Sequence, residues 1–337
     1  MKVCVVGAGA IGGLVAVKLA LGGEDVTVVV RGANLEAIRA NGMKLLDHDG
    51  TEHVARNVRA CTWDDAGPQD VVILGMKAHQ VAPILPDLDK LLHKDTIIIP
   101  MQNGIPWWYF QRNDANPNFA DRTVESVDPG GEIKSAIDPR RLLGCVVYPA
   151  SELVAPGVIH HIEGDRFPIG ELDGSTSERA QRVSEMFTRG GLKAPVLENI
   201  RSEMWLKLWG NLTFNPISSL THSTLVDICQ FPLTRDLAAA MMTEAQTVAN
   251  KLSITFRVPL EKRIAGAEKV GKHKTSMLQD VEAGRDPEID ALVGSVLELA
   301  KMTDTPVPHI ETTFALVKLL ARTMQEEKCL IRAQPRA

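Results

Sequence analysis

KVCVVGAGAIGGLVAVKLAL, residues 2–21, decides the fold. Its first five residues read as a buried strand, Gly7, Gly9 and Gly12 follow in G-x-G-x-x-G spacing, and Ile11, Val15 and Leu19 then recur at a helical interval. Strand, glycine turn and helix in that order make the first unit of a dinucleotide-binding fold. Gly7 permits the tight turn, Gly9 lets the backbone approach a pyrophosphate, and Gly12 lets the helix pack closely on the strand. Ala8, Ala10 and Ile11 complete a loop that presents the helix N-terminus to phosphates. A glycine-rich turn without a ligand is the alternative, and the flanking strand and helix weigh against it.

Working outward, DVTVVV (25–30), DVVILGM (70–76), DTIIIPM (95–101), LLGCVVYP (142–149) and the pair PGVIHHIE (156–163) and FPIGEL (167–172) are short apolar runs set between helical patterns. Strands alternating with helices imply parallel pairing through right-handed crossovers, hence a doubly wound α/β sheet. Beyond residue 200 the strand signal fades, and 202–214, 233–252, 288–302 and 309–324 carry helical spacing. The expected architecture is an N-terminal Rossmann-type domain over 1–199 and an all-α domain over 200–330. The polar, Pro/Gly-containing stretch 111–141, with NDANPN and DPGGE, reads as a surface excursion, and the tail IRAQPRA as a frayed end.

Bulk properties exclude several functions. A chain of 337 residues suits about two domains. A net charge of −5 without any dense Lys/Arg block gives no field for nucleic acid. Cys4, Cys61, Cys145, Cys229 and Cys329 include no CxxC pair, so neither a disulfide framework nor a zinc site is expected, and the histidines lack metal-ligand spacing. The chain reads as cytoplasmic. No run approaches ~18 apolar residues, and glycines break the N-terminal one, so neither export nor membrane anchoring is expected.

DVTVVV is followed by Arg31, where an NAD site would carry an acid for the ribose hydroxyl. Arginine there favours a 2′-phosphate, which its planar fork can bind in pairs, and thus NADP(H). Lys77, after VVILGM, either adds a second positive charge at this edge or is solvated. Asn103 follows a strand whose carboxyl end opens on the same crevice; it touches nicotinamide and substrate, or else Asn-Gly is a plain turn. In WLKLWGNLTFNP, residues 205–216, Lys207 is the lone charge, and Asn211 and Asn215 follow at intervals of four along one helical stripe. Pro216 predicts that the helix ends or kinks at Asn215. An ammonium among apolar neighbours has a lowered pKa and suits protonation of the alkoxide left by carbonyl reduction. The competing account is a lysine that snorkels to water.

These strings resemble the ketopantoate reductases. KAHQV (77–81), QNG (102–104), PGVIHH with IGE, IRSEMWLKLWGNLTFNP, SMLQD (276–280) and PEID (287–290) follow the family's order. The resemblance implies Lys207 as proton donor, Asn211 and Asn215 as substrate holders, Ser276 on the substrate carboxylate, and Glu288 where substrate and nicotinamide meet. It also implies that Arg31 and Lys77 lie on the cofactor, that Ala150 rests against it, and that the chain forms a homodimer. By residue type alone, Ser276 would be a helix cap and Glu288 a first-turn acid.

Two departures concern the substrate. Trp107 and Trp108 precede the 111–141 stretch and either line the pocket or pack that stretch, and Leu225 stands where some members place another substrate-binding asparagine. The expected reaction is NADPH-dependent reduction of a 2-oxo acid, ketopantoate to pantoate on the route to pantothenate and coenzyme A. The alternatives are a different branched or aromatic 2-oxo acid, or a protein that senses NADPH without chemistry.

Overall fold

A computed structural model describes residues 1–113 and 117–334. The middle of NDANPN and the last residues of the tail lie outside the described residues. The strands are β1 (Lys2–Val6), β2 (Asp25–Val29), β3 (Met43–Leu46), β4 (Glu52–Ala55), β5 (Arg59–Cys61), β6 (Val71–Leu74), β7 (Ile97–Pro100), β8 (Gly144–Cys145), β9 (Ala150–Ala155), β10 (Val158–Glu163) and β11 (Ile169–Gly170). The main sheet is parallel, in the order β5-β2-β1-β6-β7. Strand order reverses between β1 and β6, which opens a crevice at the carboxyl ends where the glycine loop emerges. A parallel bridge from Ile98 to Leu142 carries the sheet on toward β8, which pairs antiparallel with β11.

The helices of the first half are α1 (Ala10–Leu21), α2 (Gly32–Asn41), α3 (Trp63–Ala66), α4 (Leu85–Leu88), α5 (Glu132–Ala136) and α6 (Glu178–Arg189). From Ile200 onward the structure is helical: α7 (Ile200–Thr221), α8 (Leu225–Gln230), α9 (Pro232–Lys251), α10 (Leu260–Val270), α11 (Ser276–Glu282), a π-helical turn at Asp290–Gly294 running into α12 (Ser295–Met302), and α13 (Pro308–Glu326). Among the described residues, no helix is long and apolar enough to cross a membrane.

Three expectations are corrected. PGVIHHIE does not join the doubly wound sheet: β10 pairs parallel with β3 and antiparallel with β9, giving a second sheet ordered β4-β3-β10-β9. This sheet lies over α1, where Ile159 fills the space that a side chain on Gly13 would need. Next, α7 continues through Pro216 to Thr221. Proline removes one helical hydrogen bond, yet Phe214, Ile217, Ser218 and Ser219 are all buried, so tertiary packing holds the last turns in place. The helix ends instead at His222, whose φ of 57° is left-handed.

The third correction is that 111–141 is folded inward as well as exposed. Val124, Ile133 and Ile137 are buried in the core, and buried Asp128 accepts the backbone N–H groups of Ile133 and Lys134 at 2.8 Å each, capping α5.

The main sheet separates two apolar clusters. Val3 and Val5 face α1 and Ile159 on one side. Cys4 and Val6 face the other, in a cluster that runs without a break through Trp108 to Trp205, Trp209 and Met241 of the helical half. Alternation along β1 therefore sends one set of side chains toward the second sheet and the other toward α7 and α9.

Candidate active site

The glycine loop has the local geometry its sequence demands. Gly7 has a φ of 87°, and a Cβ on Gly12 would strike the Gly7 carbonyl, so helix and strand meet as closely as the motif requires. Around Gly9 there is open space: no atom lies within 4 Å of where its Cβ would be. Gly9 is also the N-cap of α1 and offers no side chain to the first-turn N–H groups. A free helix N-terminus beside an open glycine is the cradle that a pyrophosphate needs. Arg31, the N-cap of α2, is exposed and has no hydrogen-bond or ion-pair partner among the described residues, so it is available to a further phosphate. Asn34 ties this edge together, its amide donating to the Ala8 carbonyl at 3.1 Å while its oxygen accepts from Gly157 N at 2.7 Å.

Asn103 lies just beyond the carboxyl end of β7, in a turn fixed on both sides. Gln102 Nε2 donates to the carbonyls of Leu74 and Met76 at 2.8 and 2.9 Å, and Ile105 N donates to the Ala291 carbonyl at 3.1 Å. The Asn-Gly step is thus a docked element. Asn103 Oδ1 accepts from Lys207 Nζ at 2.5 Å, and the Val147 carbonyl accepts a second hydrogen bond from the same ammonium. Two of its three donors are used inside the protein, and the third remains for a ligand. Burial pulls the Lys207 pKa down to about 8, with Cys145 and Glu288 opposing the shift.

Lys207 and Asn211 line one cleft together with Asn103, Trp108, Met204 and Leu208. Asn215 lies one turn farther along, buried, with its amide 3.4 Å from Ser276 Oγ. The expected stripe therefore continues to Ser276. Thr275 is the cap of α11 and Ser276 its first residue, which leaves the Ser276 hydroxyl outside the capping role expected from residue type. Ala150 opens β9, three residues after Val147.

Two residues sit differently from their simplest readings. Glu288 precedes the helical turn in a left-handed conformation, φ 53°, and is no first-turn acid. Burial raises its pKa, while Lys77 opposes the shift. Lys77 reaches to α11: its Nζ bonds Asp280 at 3.0 Å and the Asp286 carbonyl at 2.8 Å, and lies 3.6 Å from Glu288. Its charge is matched by acids on the helical half rather than standing open to solvent.

Both tryptophans are buried in the core, and Trp108 also lines the cleft. Leu225 starts α8, bonds through its N–H to the His273 carbonyl and packs on the core. The Val147 carbonyl, Cys145 and Asp280 belong to the site but carried no signal of their own: a backbone acceptor has no residue type, and Cys145 looks like any buried cysteine. Asp47, His48 and His161 form a group of potential metal ligands on the second sheet, where Lys18 bonds Asp47 at 2.7 Å and balances its charge.

A doubly wound sheet with an open phosphate cradle, and a half-buried lysine facing the same crevice, defines a pyridine-nucleotide-dependent oxidoreductase. The sequence comparisons agree: residues 3–108 match the family described as Ketopantoate reductase PanE/ApbA, and residues 199–321 match its C-terminal counterpart. The chain belongs to the ketopantoate reductase family. A 2-dehydropantoate 2-reductase of Mesorhizobium japonicum is 49% identical over 322 residues, spanning 95% of this chain and 98% of that protein. A crystal structure from Ralstonia solanacearum, assigned as a ketopantoate reductase, superposes with a TM-score of 0.90 at 38% identity, covering 96% of this chain and 98% of the other. D-Mandelate dehydrogenase, solved with NADH and anilino(oxo)acetate, shares the fold with a TM-score of 0.82 at 20% identity, covering 96% of this chain and all of its own.

Proposed function

We propose that this chain reduces ketopantoate to pantoate with NADPH. The observation that carries this reading is the Lys207 ammonium, held by Asn103 and the Val147 carbonyl at the crevice of a dinucleotide fold. Gly7–Gly12 would hold the pyrophosphate and Arg31 the 2′-phosphate, and NADPH, when bound, supplies a hydride. Asn103 and Val147 fix Nζ so that its remaining N–H meets the substrate oxygen. As the carbonyl carbon gains hydride, the π electrons move to oxygen, and Lys207 stabilises that charge and passes it a proton, leaving a neutral amine and a hydroxyl. Asn211, Asn215 and Ser276 hold the rest of the substrate, and Glu288 accepts from a hydroxyl or amide N–H at the junction with the cofactor. Ala150 and Lys77 would touch the cofactor. The five unpaired cysteines support a cytoplasmic setting, and a dimeric ketopantoate reductase from Staphylococcus aureus, alike in fold, prompts the proposal of a homodimer.

A second reading, turnover of a bulkier 2-oxo acid, is favoured by Trp108 in the cleft wall and by Leu225 in place of a polar side chain. Apolar contacts discriminate only by ~1–3 kcal/mol per methylene, so a related acid could compete. The test is NADPH consumption with ketopantoate and a panel of branched and aromatic 2-oxo acids. Turnover of a bulkier acid and none of ketopantoate would replace the substrate and leave the reductase standing. NADPH binding without turnover of any 2-oxo acid would leave only a sensor.

A further inference from the structure

Lys207 leans on a backbone carbonyl, and a backbone carbonyl stands wherever its own segment is held. Residues 146–148 extend β8 alongside the segment that leads into β11: Val146 N donates to the Pro168 carbonyl at 2.9 Å and Tyr148 N to the Arg166 carbonyl at 3.1 Å. In an antiparallel pair such bonds fall on alternate residues, so the Val147 carbonyl between them points away from 166–168. That outward carbonyl is the one the Lys207 ammonium donates to.

Tyr148, the next residue, is held from α7 as well. Its hydroxyl donates to Glu203 Oε1 at 2.8 Å. Glu203 and Lys207 are four residues apart on one helix, so α7 grips this segment at two points about one turn apart, the Tyr148 hydroxyl and the Val147 carbonyl. Glu203 is itself fixed. Its side chain is 1% exposed, and Arg166 and Arg257 donate to it at 2.8 and 2.7 Å. Burial opposes its charge, but the bonds from Arg257 and Tyr148 outweigh burial and hold the carboxyl below the usual carboxylate range. Arg166 also lies over the Tyr148 ring, 5.4 Å from its centre, so carboxylate, guanidinium and phenol form one packed unit. Neither Glu203 nor Tyr148 is among the residues that line the cleft.

From this geometry, and resting on the reductase reading above, we propose that Glu203 is a positioning residue for the reduction: through Tyr148 it sets where the Val147 carbonyl stands, and so where Lys207 presents its remaining N–H. Apolar packing of Trp205 and Leu208 already joins α7 to the core, and what a fully bonded buried carboxylate adds is a fixed geometry. The helix thus carries both the proton donor and the group that aims it.

The test compares single-turnover oxidation of NADPH by ketopantoate, or by the 2-oxo acid the wild type prefers, in the full chain and in Tyr148→Phe. This change removes the hydroxyl and keeps the ring, the Glu203 charge and the cleft lining. The rate should fall about 10- to 100-fold, with affinity for NADPH and the 2-oxo acid within about threefold. The alkaline limb of the rate should also move to lower pH, because a receding carbonyl withdraws a bond that favours the ammonium, while Cys145 and Glu288 stay as they are. A merely structural bond would lower the melting temperature and the active fraction and leave the limb in place. If Tyr148→Phe does not fold, Glu203→Asp asks the same question, since it keeps the charge for both arginines but falls short of Tyr148. The two single variants and the double variant should be equally slow, as expected for two ends of one bond. A folded Tyr148→Phe, or failing that a folded Glu203→Asp, with a rate within twofold of wild type or an unmoved limb overturns the assignment. Wild type that turns over no 2-oxo acid overturns the reductase reading and this one together.

Discussion

Lys207 is the most legible residue of the candidate site, because it is one charge within an apolar run with asparagines every four residues. Its partners were less so: Asn103 sits 104 positions away, and Val147 contributes only its carbonyl. If the ammonium acts at the developing alkoxide, Lys207→Ala should lower kcat by about 10²- to 10⁴-fold with NADPH affinity retained. Lys207→Arg should not restore it, since a guanidinium keeps its charge but does not yield its proton. The pH dependence follows from the lowered pKa. Reduction needs the protonated amine, so its kcat should be flat below about 8 and fall above it, while oxidation of the hydroxy acid needs the neutral amine and should rise across the same range. Rate profiles in both directions check the sign; a reduction rate unchanged to pH 10 would remove Lys207 as the acid. Arg31 has a separate test: removing a charge-assisted phosphate contact worth ~1.5–3 kcal/mol should weaken NADPH roughly tenfold to a hundredfold in Arg31→Ala and leave NADH unchanged, as measured by dissociation constants.

At the level of elements, local patterns were readable where an element buries one stripe or lies wholly inside. β1, β2, β6 and β7 are apolar on both faces and could be placed from sequence, as could α7, α9 and α13. β3 and β4 could not: MKLL and EHVA mix charges with apolar residues, and their sheet is completed by β10, more than 100 residues later. The local cost of Pro216 predicts an end or kink in α7 that the packing around it overrides. The glycines of the two cleft loops differ in a way that stability and binding should separate. At Gly104, φ is 87° and a Cβ would strike the Ala291 carbonyl, so Gly104→Ala should cost about 2 kcal/mol or more by urea unfolding. At Gly9, φ is −78° and the space is open, so Gly9→Ala should change stability by less than ~0.5 kcal/mol while weakening NADPH binding.

On the scale of the whole molecule, the change of texture near residue 200 marks where strands give way to helices, and that much was visible in composition. Composition did not reveal how the two parts are joined. Cys4 and Val6 on the sheet and Trp205, Trp209 and Met241 in the helices belong to one unbroken apolar cluster, with the aromatic run Trp107–Phe110 inside it. Melting either part would therefore expose the side chains that the other is packed on. Independent domains give separate transitions, and a shared interior couples them. Differential scanning calorimetry should show a single endotherm whose van't Hoff enthalpy matches the calorimetric one, and a fragment ending at residue 199 should fail to melt cooperatively. For selection, the consequence is that a destabilising substitution in the helical half, far from the phosphate cradle, reduces the amount of active enzyme as surely as one in the sheet.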